Sequence, residues 1–187
     1  EPYPMEMEKI RAFPVNTARG CAFKCTFCYH VFRNEKYRYR SPSSIIEEIA
    51  ELQKRYGVNY INFWDELTFL TIKQTETFVD AILASGLKFY WTAACRGDLF
   101  KEKDMDLLEK IKSAGCIGLG YALESANRNI LRSMNKKLDP NDFIHQFNIL
   151  KKAGIASWTS LVIGYPEETE KTIRETFELC YQNGIYP

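Results

Sequence analysis

The chain has 187 residues, of which 45% are hydrophobic and 26% charged, with 25 Lys and Arg against 24 Asp and Glu for a net charge of +1. That balance describes an ordinary globular domain and offers no positive excess to draw it to nucleic acid or a membrane surface. No apolar run is long enough to span a bilayer, and Glu1-Pro2-Tyr3-Pro4 lacks the basic start and apolar core of a secretory signal, so the six cysteines read as reduced thiols of a cytoplasmic protein, used for metal binding and packing.

The first predicted element is a short strand over residues 12–16. It leads into Cys21-Ala22-Phe23-Lys24-Cys25-Thr26-Phe27-Cys28, three thiols in the spacing C-x3-C-x2-C. A loop this short can wrap all three sulfurs around one metal centre. A [4Fe-4S] cluster usually takes four thiolates, so three local ligands leave one iron for a non-protein ligand. Zinc is the competing reading, because His30 follows and would complete a closed Cys3His site. Structural zinc sites, however, usually draw two pairs of ligands from well-separated positions. Cys95, Cys116 and Cys180 are scattered singly and read as small buried residues. After the loop, Arg33, Lys36, Arg38 and Arg40 interleave with Tyr37 and Tyr39. The pattern suits phosphates and stacked bases or a solvated loop, and the neutral net charge favours the loop.

A repeat governs the remainder. Gly57, Gly86, Gly115, Gly154 and Gly184 each follow a helix-like stretch, and an apolar run follows the first four, over residues 58–64, 87–95, 116–123 and 155–163. Glycine just past a helix takes the left-handed conformation that stops it. A spacing of about thirty residues is one βα unit, and nearly continuous apolar runs are the mark of strands covered on both faces. The helices carry their own start signals and stripes. Ser41 and Pro42 open one with Ile45, Ile49, Leu52 and Tyr56 inward; Thr71 opens the next with Phe78, Val79 and Ile82 inward. Asp104 begins the third, with Leu107, Leu108 and Ile111 inward, and Asp139-Pro140 the fourth, with Phe143, Phe147 and Leu150 inward. Residues 125–138 add a short helix and loop, and a fifth helix covers about 168–183.

These signals predict an α/β fold in which a parallel sheet curls into a partial (β/α) TIM-like barrel of about five βα units, one domain over residues 1–187. Barrel chemistry sits at the C-terminal ends of strands. There the chain offers Asp65 and Glu66, Arg96 and Asp98, Glu124 and Ser125, and Gly164 through Glu167. Alone, Asp65 and Asp98 also read as turn residues or caps; their coincidence with the cysteine loop at one mouth favours a ligand site.

The run from Asn16 through Cys28, with Phe27 ahead of the last cysteine, resembles the cluster loop of the radical S-adenosylmethionine (radical SAM) superfamily, and the likeness extends over nearly the whole chain. The resemblance implies that Cys21, Cys25 and Cys28 ligate a [4Fe-4S] cluster whose fourth iron S-adenosylmethionine (SAM) chelates. It implies reductive cleavage of SAM to a 5′-deoxyadenosyl radical, fed by a reduced flavodoxin or ferredoxin-type donor and acting on a small-molecule substrate. The Phe27 backbone is similar to the position that touches adenine. Trp64-Asp65-Glu66 stands where many members have Gly-Gly-Glu holding the SAM amino group. Ala122-Leu123-Glu124-Ser125 is similar to the ribose-binding stretch, and Arg96 resembles a residue that pairs with the SAM carboxylate. Aligning Gly164 with the second glycine of the family's G-x-I-x-G-x-x-E places Ser160, Val162 and Glu167 at the other positions, with Val162 at the adenine contact. The family core has six strands, so Gly184-Ile185-Tyr186-Pro187 is expected to begin the sixth and the chain to be a truncated core. Arg38 through Pro42, the Asp65-Glu66 pair and Gly164 through Thr169 resemble the branch fused to a cobalamin-binding domain, which includes methyltransferases and ring-forming enzymes; that domain would lie outside this chain. A tRNA-modifying member, an iron–sulfur electron carrier and a zinc-stapled binding module are the alternatives.

Overall fold

The computed structural model describes residues 6–29 and 36–186; His30 and Arg33 lie outside them. Five parallel strands form one sheet in the order β1 (Ala12–Val15), β4 (Tyr60–Phe63), β5 (Tyr90–Ala94), β6 (Cys116–Gly120) and β7 (Ala156–Trp158). Helices α1 (Pro42–Tyr56), α2 (Ile72–Ser85), α3 (Met105–Ser113) and α5 (Pro140–Ala153) connect them, and α6 (Glu170–Gln182) follows β7. A six-residue helix α4 (Arg128–Ser133) lies between β6 and α5, as the spacing predicts. This is the partial barrel expected from the thirty-residue repeat. A two-residue antiparallel ladder was not expected: β2 (Ala18–Arg19) pairs with β3 (Arg38–Tyr39) on either side of the cysteine loop. The pair is too short to leave a periodic signal.

The helix signals operate as read. The Ser41 hydroxyl accepts from the Ser44 amide at 3.3 Å, and Gly57 ends α1 at φ 64°, where a side chain would be strained. The inward stripes pack on one face of the sheet, except for Tyr56, expected inward but exposed in the last turn of α1, where the helix runs past the sheet. On that face Phe63, Phe69, Phe78 and Trp91 meet edge-on, with centroids 5.2–6.3 Å apart, and the buried Trp91 indole donates to the Ala114 carbonyl at 2.8 Å. Burying each large apolar side chain contributes about 2 kcal/mol, so this outer layer supplies the core.

The strands differ from expectation in two ways. They are shorter than the apolar runs, and only their outer face is covered. On the inner face the Tyr60 hydroxyl meets that of Thr92 at 2.8 Å, and Thr92 donates to Asn62 at 3.3 Å. Polar side chains here satisfy one another around a cavity. The missing strand length is interrupted ladder: after Gly120, the Thr159 hydroxyl inserts to accept from the Leu123 amide, and pairing resumes at Glu124 and Leu161. Residues 184–186 form no strand, and the Ile185 amide donates to the Cys180 carbonyl at 2.9 Å.

Candidate functional site

A cavity of about 750 Å³ opens at the C-terminal ends of the strands. All three loop cysteines line it, as free and half-buried thiols. Among the described residues no three His, Cys, Asp or Glu side chains converge closely enough to hold a single metal ion. A cubane cluster makes no such demand, since each sulfur meets a different iron. Burial raises the Cys25 thiol above the usual range, while Lys136 and then Arg96 pull it back down. Two cations thus act on the Cys25 sulfur, which suits a ligand that must be deprotonated and carry an anionic cluster.

The loop is clamped at both ends by distant elements. Its entry is held by Asp65, just past β4. The Asp65 carboxylate accepts from the Thr17 amide at 3.0 Å, the Thr17 hydroxyl at 2.6 Å, the Ala18 amide at 3.1 Å and the Thr68 hydroxyl at 3.1 Å. Its exit is held by the end of α4: the Thr26 amide donates to Met134 at 2.9 Å, and the Asn135 side chain donates to the Lys24 carbonyl at 2.8 Å. Asn135 takes the left-handed conformation at φ 49°, which asparagine tolerates better than most residues. The Tyr165 hydroxyl completes the clamp, 2.7 Å from that of Thr26. In the middle, Arg96 lies 3.9 Å over the Phe23 ring while pairing with Asp98 at 3.0 Å and donating to the Lys137 carbonyl.

The strand-end residues separate into groups that face the cavity and groups that build its walls. Glu66 lines the cavity and accepts from the Tyr29 hydroxyl at 2.7 Å. Asp65 reaches it too, but its oxygens are occupied by the loop entry. Glu124 lies at the cavity with φ 67°, a strained conformation for glutamate, fixed by backbone bonds to Ser160 and Val162. Its carboxylate meets Lys136 at 2.9 Å, the two side chains being 7% and 12% exposed. Ser125 is fully buried away from the cavity; its hydroxyl accepts from the Asn127 amide and sits 3.4 Å from that of Thr176 on α6. The side chain of Val162 packs with Ile130, Leu131 and Met134, away from the cavity, and its amide donates to the Glu124 carbonyl at 3.0 Å. Phe27 lines the cavity and is 36% exposed.

Sequence reasoning missed Lys136, Asn135 and the tethering role of Tyr165; the only signal was an asparagine at a helix end. It also missed Trp158, whose indole lies across the inward glycines of β6. A Cβ on Gly120 would stand 2.4 Å from the indole nitrogen, and one on Gly118 2.8 Å from the ring. The tyrosines of the basic stretch are structural: Tyr39 packs edge-on against Phe78, and the Tyr37 hydroxyl donates to the Thr68 carbonyl at 3.2 Å. Arg40 is paired with Glu48 at 2.6 Å.

The model of the Radical SAM superfamily matches residues 15–180. An uncharacterized methyltransferase of Pyrococcus horikoshii is 32% identical over 186 residues, 97% of this chain and 40% of its own length. The anaerobic magnesium-protoporphyrin IX monomethyl ester cyclase of Cereibacter sphaeroides is 28% identical over 96% of this chain and 29% of its own. The chain therefore spans less than half of these relatives. Among solved structures, the radical SAM methyltransferase TsrM of Kitasatospora setae, with tryptophan and a SAM analogue bound, superposes with a TM-score of 0.80 at 19% identity, covering 93% of this chain and 34% of that one. The same enzyme has been solved with cobalamin and a [4Fe-4S] cluster.

Proposed function

The chain belongs to the radical SAM superfamily, and we propose that its cavity holds a [4Fe-4S] cluster through Cys21, Cys25 and Cys28 and seats SAM beside it. The observation that carries this is the convergence of the three loop thiols, three carboxylates and two cations on one cavity. When bound, the cluster supplies the electron that cleaves SAM reductively to methionine and the 5′-deoxyadenosyl radical.

The chain's own residues bind, orient and shield. Glu66 is the cavity carboxylate for the SAM ammonium, since Asp65 is committed to the loop. Glu124 receives the ribose hydroxyls, held in position by its strained backbone and by Lys136. Lys136 and Arg96 are the cations that face the SAM carboxylate; each already holds a carboxylate of the chain, Glu124 and Asp98 respectively. The backbones of Phe27 and Val162 border the adenine. No side chain is assigned a proton transfer. For the whole protein we propose a methyl-transfer or ring-forming reaction on a small molecule, with cobalamin carried on a domain outside this chain, as the methyltransferase and cyclase relatives suggest.

Anaerobic reconstitution tests the assignment. About four irons and four sulfides per chain are expected, with 5′-deoxyadenosine formed from SAM and dithionite. Cys25→Ala is expected to lose the iron and remain folded by circular dichroism; full iron content in that variant, or zinc alone in anaerobically purified protein, would overturn the ligand set.

A further inference from the structure

The face beside the cysteine loop carries charge that the cavity does not use. In the β2–β3 ladder Arg19 stands directly opposite Arg38. Cross-strand partners share a face with Cβ atoms about 5 Å apart, and like charges so placed repel. Both side chains are exposed, and among the described residues neither has a carboxylate partner. Five other arginines hold a carboxylate: Arg40 pairs with Glu48, Arg55 with Glu51, Arg96 with Asp98, Arg128 with Asp139 and Arg174 with Glu170. Arg11 and Arg132 do not, but they stand apart, bonded to the Tyr56 carbonyl and the Asn129 side chain, whereas Arg19 and Arg38 face each other. The two arginines line a cleft of about 480 Å³ together with Pro14 and the paired Arg40 and Glu48, whose charges cancel. In a chain of net charge +1 this is a local feature, not a general basic surface. It is also close to the site. Cys21 follows Arg19 by two residues, so their Cα atoms lie within about 7 Å.

We propose that this face docks an acidic one-electron carrier protein, the reductant required by the function proposed above, on which this inference rests. The carrier gives up one electron, and cleavage of the sulfonium C–S bond of SAM consumes it, the sulfur leaving as methionine and the carbon as the radical. Two unneutralised guanidiniums beside a small cleft suit an anionic partner in a small, transient interface, the kind typical of electron-transfer encounters. A nucleic acid would need a longer basic track, and among the flanking cations Arg40 is already neutralised by Glu48.

The test uses the full-length protein and a flavodoxin of acidic surface. Arg19→Glu places a carboxylate opposite Arg38, so the ladder gains a cross-strand pair while the face loses its charge; Arg19→Gln/Arg38→Gln is the second variant. The expected result is at least tenfold weaker binding of oxidised flavodoxin, with a shallower salt dependence, in both variants. Flavodoxin-driven formation of 5′-deoxyadenosine falls in parallel, and the dithionite-driven rate holds. Unchanged flavodoxin binding, or loss of RNA binding alone, would overturn the docking face. Failure of the parent protein to cleave SAM even with dithionite would instead count against the proposed function, and the binding measurement decides the docking face independently.

Discussion

Glu124 and Lys136 are twelve residues apart in sequence and form a nearly buried ion pair at the edge of the cavity. Removing one partner of such a pair leaves a charge uncompensated, at a cost of about 3 kcal/mol. Lys136→Met is therefore expected to lower stability by roughly that amount in urea unfolding and to weaken SAM binding, measured by calorimetry. Adding Glu124→Gln should recover most of the stability and none of the affinity. If Lys136→Met leaves both unchanged, the pair has no role at the site. The thiols offer a second test at this scale. Burial raises Cys95 and Cys116 far above the ordinary thiol range, and Cys25 less so because it is only half-buried and Lys136 and Arg96 oppose the rise. The thiolate is the reactive form, so a raised pKa moves labelling to higher pH. In metal-free protein, iodoacetamide should modify the three loop cysteines and spare Cys95 and Cys116 until unfolding. Cys25 should respond only at higher pH than a free thiol, and Lys136→Met should move its onset higher still. Early modification of Cys95 or Cys116, read by mass spectrometry, would contradict their burial.

At the level of elements, the cysteine loop has no regular structure of its own and takes its shape from its clamps. Hydrogen bonds to a charged group are worth about 1.5–3 kcal/mol each, and Asp65 accepts several from the loop entry. Asp65→Asn should therefore cut iron retention after reconstitution while the helical signal in circular dichroism stays constant. Asn135→Gly keeps the left-handed backbone but removes the amide that holds the Lys24 carbonyl; a similar loss of iron is expected, and full retention would show that the exit clamp is dispensable. Gly120→Ala places a Cβ against the Trp158 indole, and overpacking of this kind costs about 1–3 kcal/mol. Trp158→Ala should relieve it in the double variant. These clamps mark the limit of what the residues disclosed. Caps, helical stripes and the glycine repeat are local signals, so the βα units could be read from Ser41, Gly57 and their counterparts. The Thr26–Met134, Asn135–Lys24 and Asp65–Thr17 contacts join residues 48 to 111 positions apart, and no local pattern encodes such pairings. The apolar runs overstated strand length for a related reason: hydrophobicity reports burial, and the runs continue into interrupted ladder around the cavity.

For the molecule as a whole, the division of labour lies between the two faces of one sheet. The outer face carries the aromatic core beneath the helices, and the inner face keeps polar groups and a cavity into which the cysteine loop is folded. Cofactor chemistry is thereby separated from the packing that stabilises the fold, so loss of the cluster should leave a folded chain. The central assignment, that three sulfurs hold the cluster and its fourth iron is reserved for SAM, has one direct test. The reduced, reconstituted protein is examined by electron paramagnetic resonance with and without SAM, and by electron–nuclear double resonance with SAM labelled at its amino nitrogen and carboxylate oxygens. A changed spectrum with hyperfine coupling to both labels is the expected result; an unchanged spectrum without coupling, on a fully loaded cluster, would contradict it.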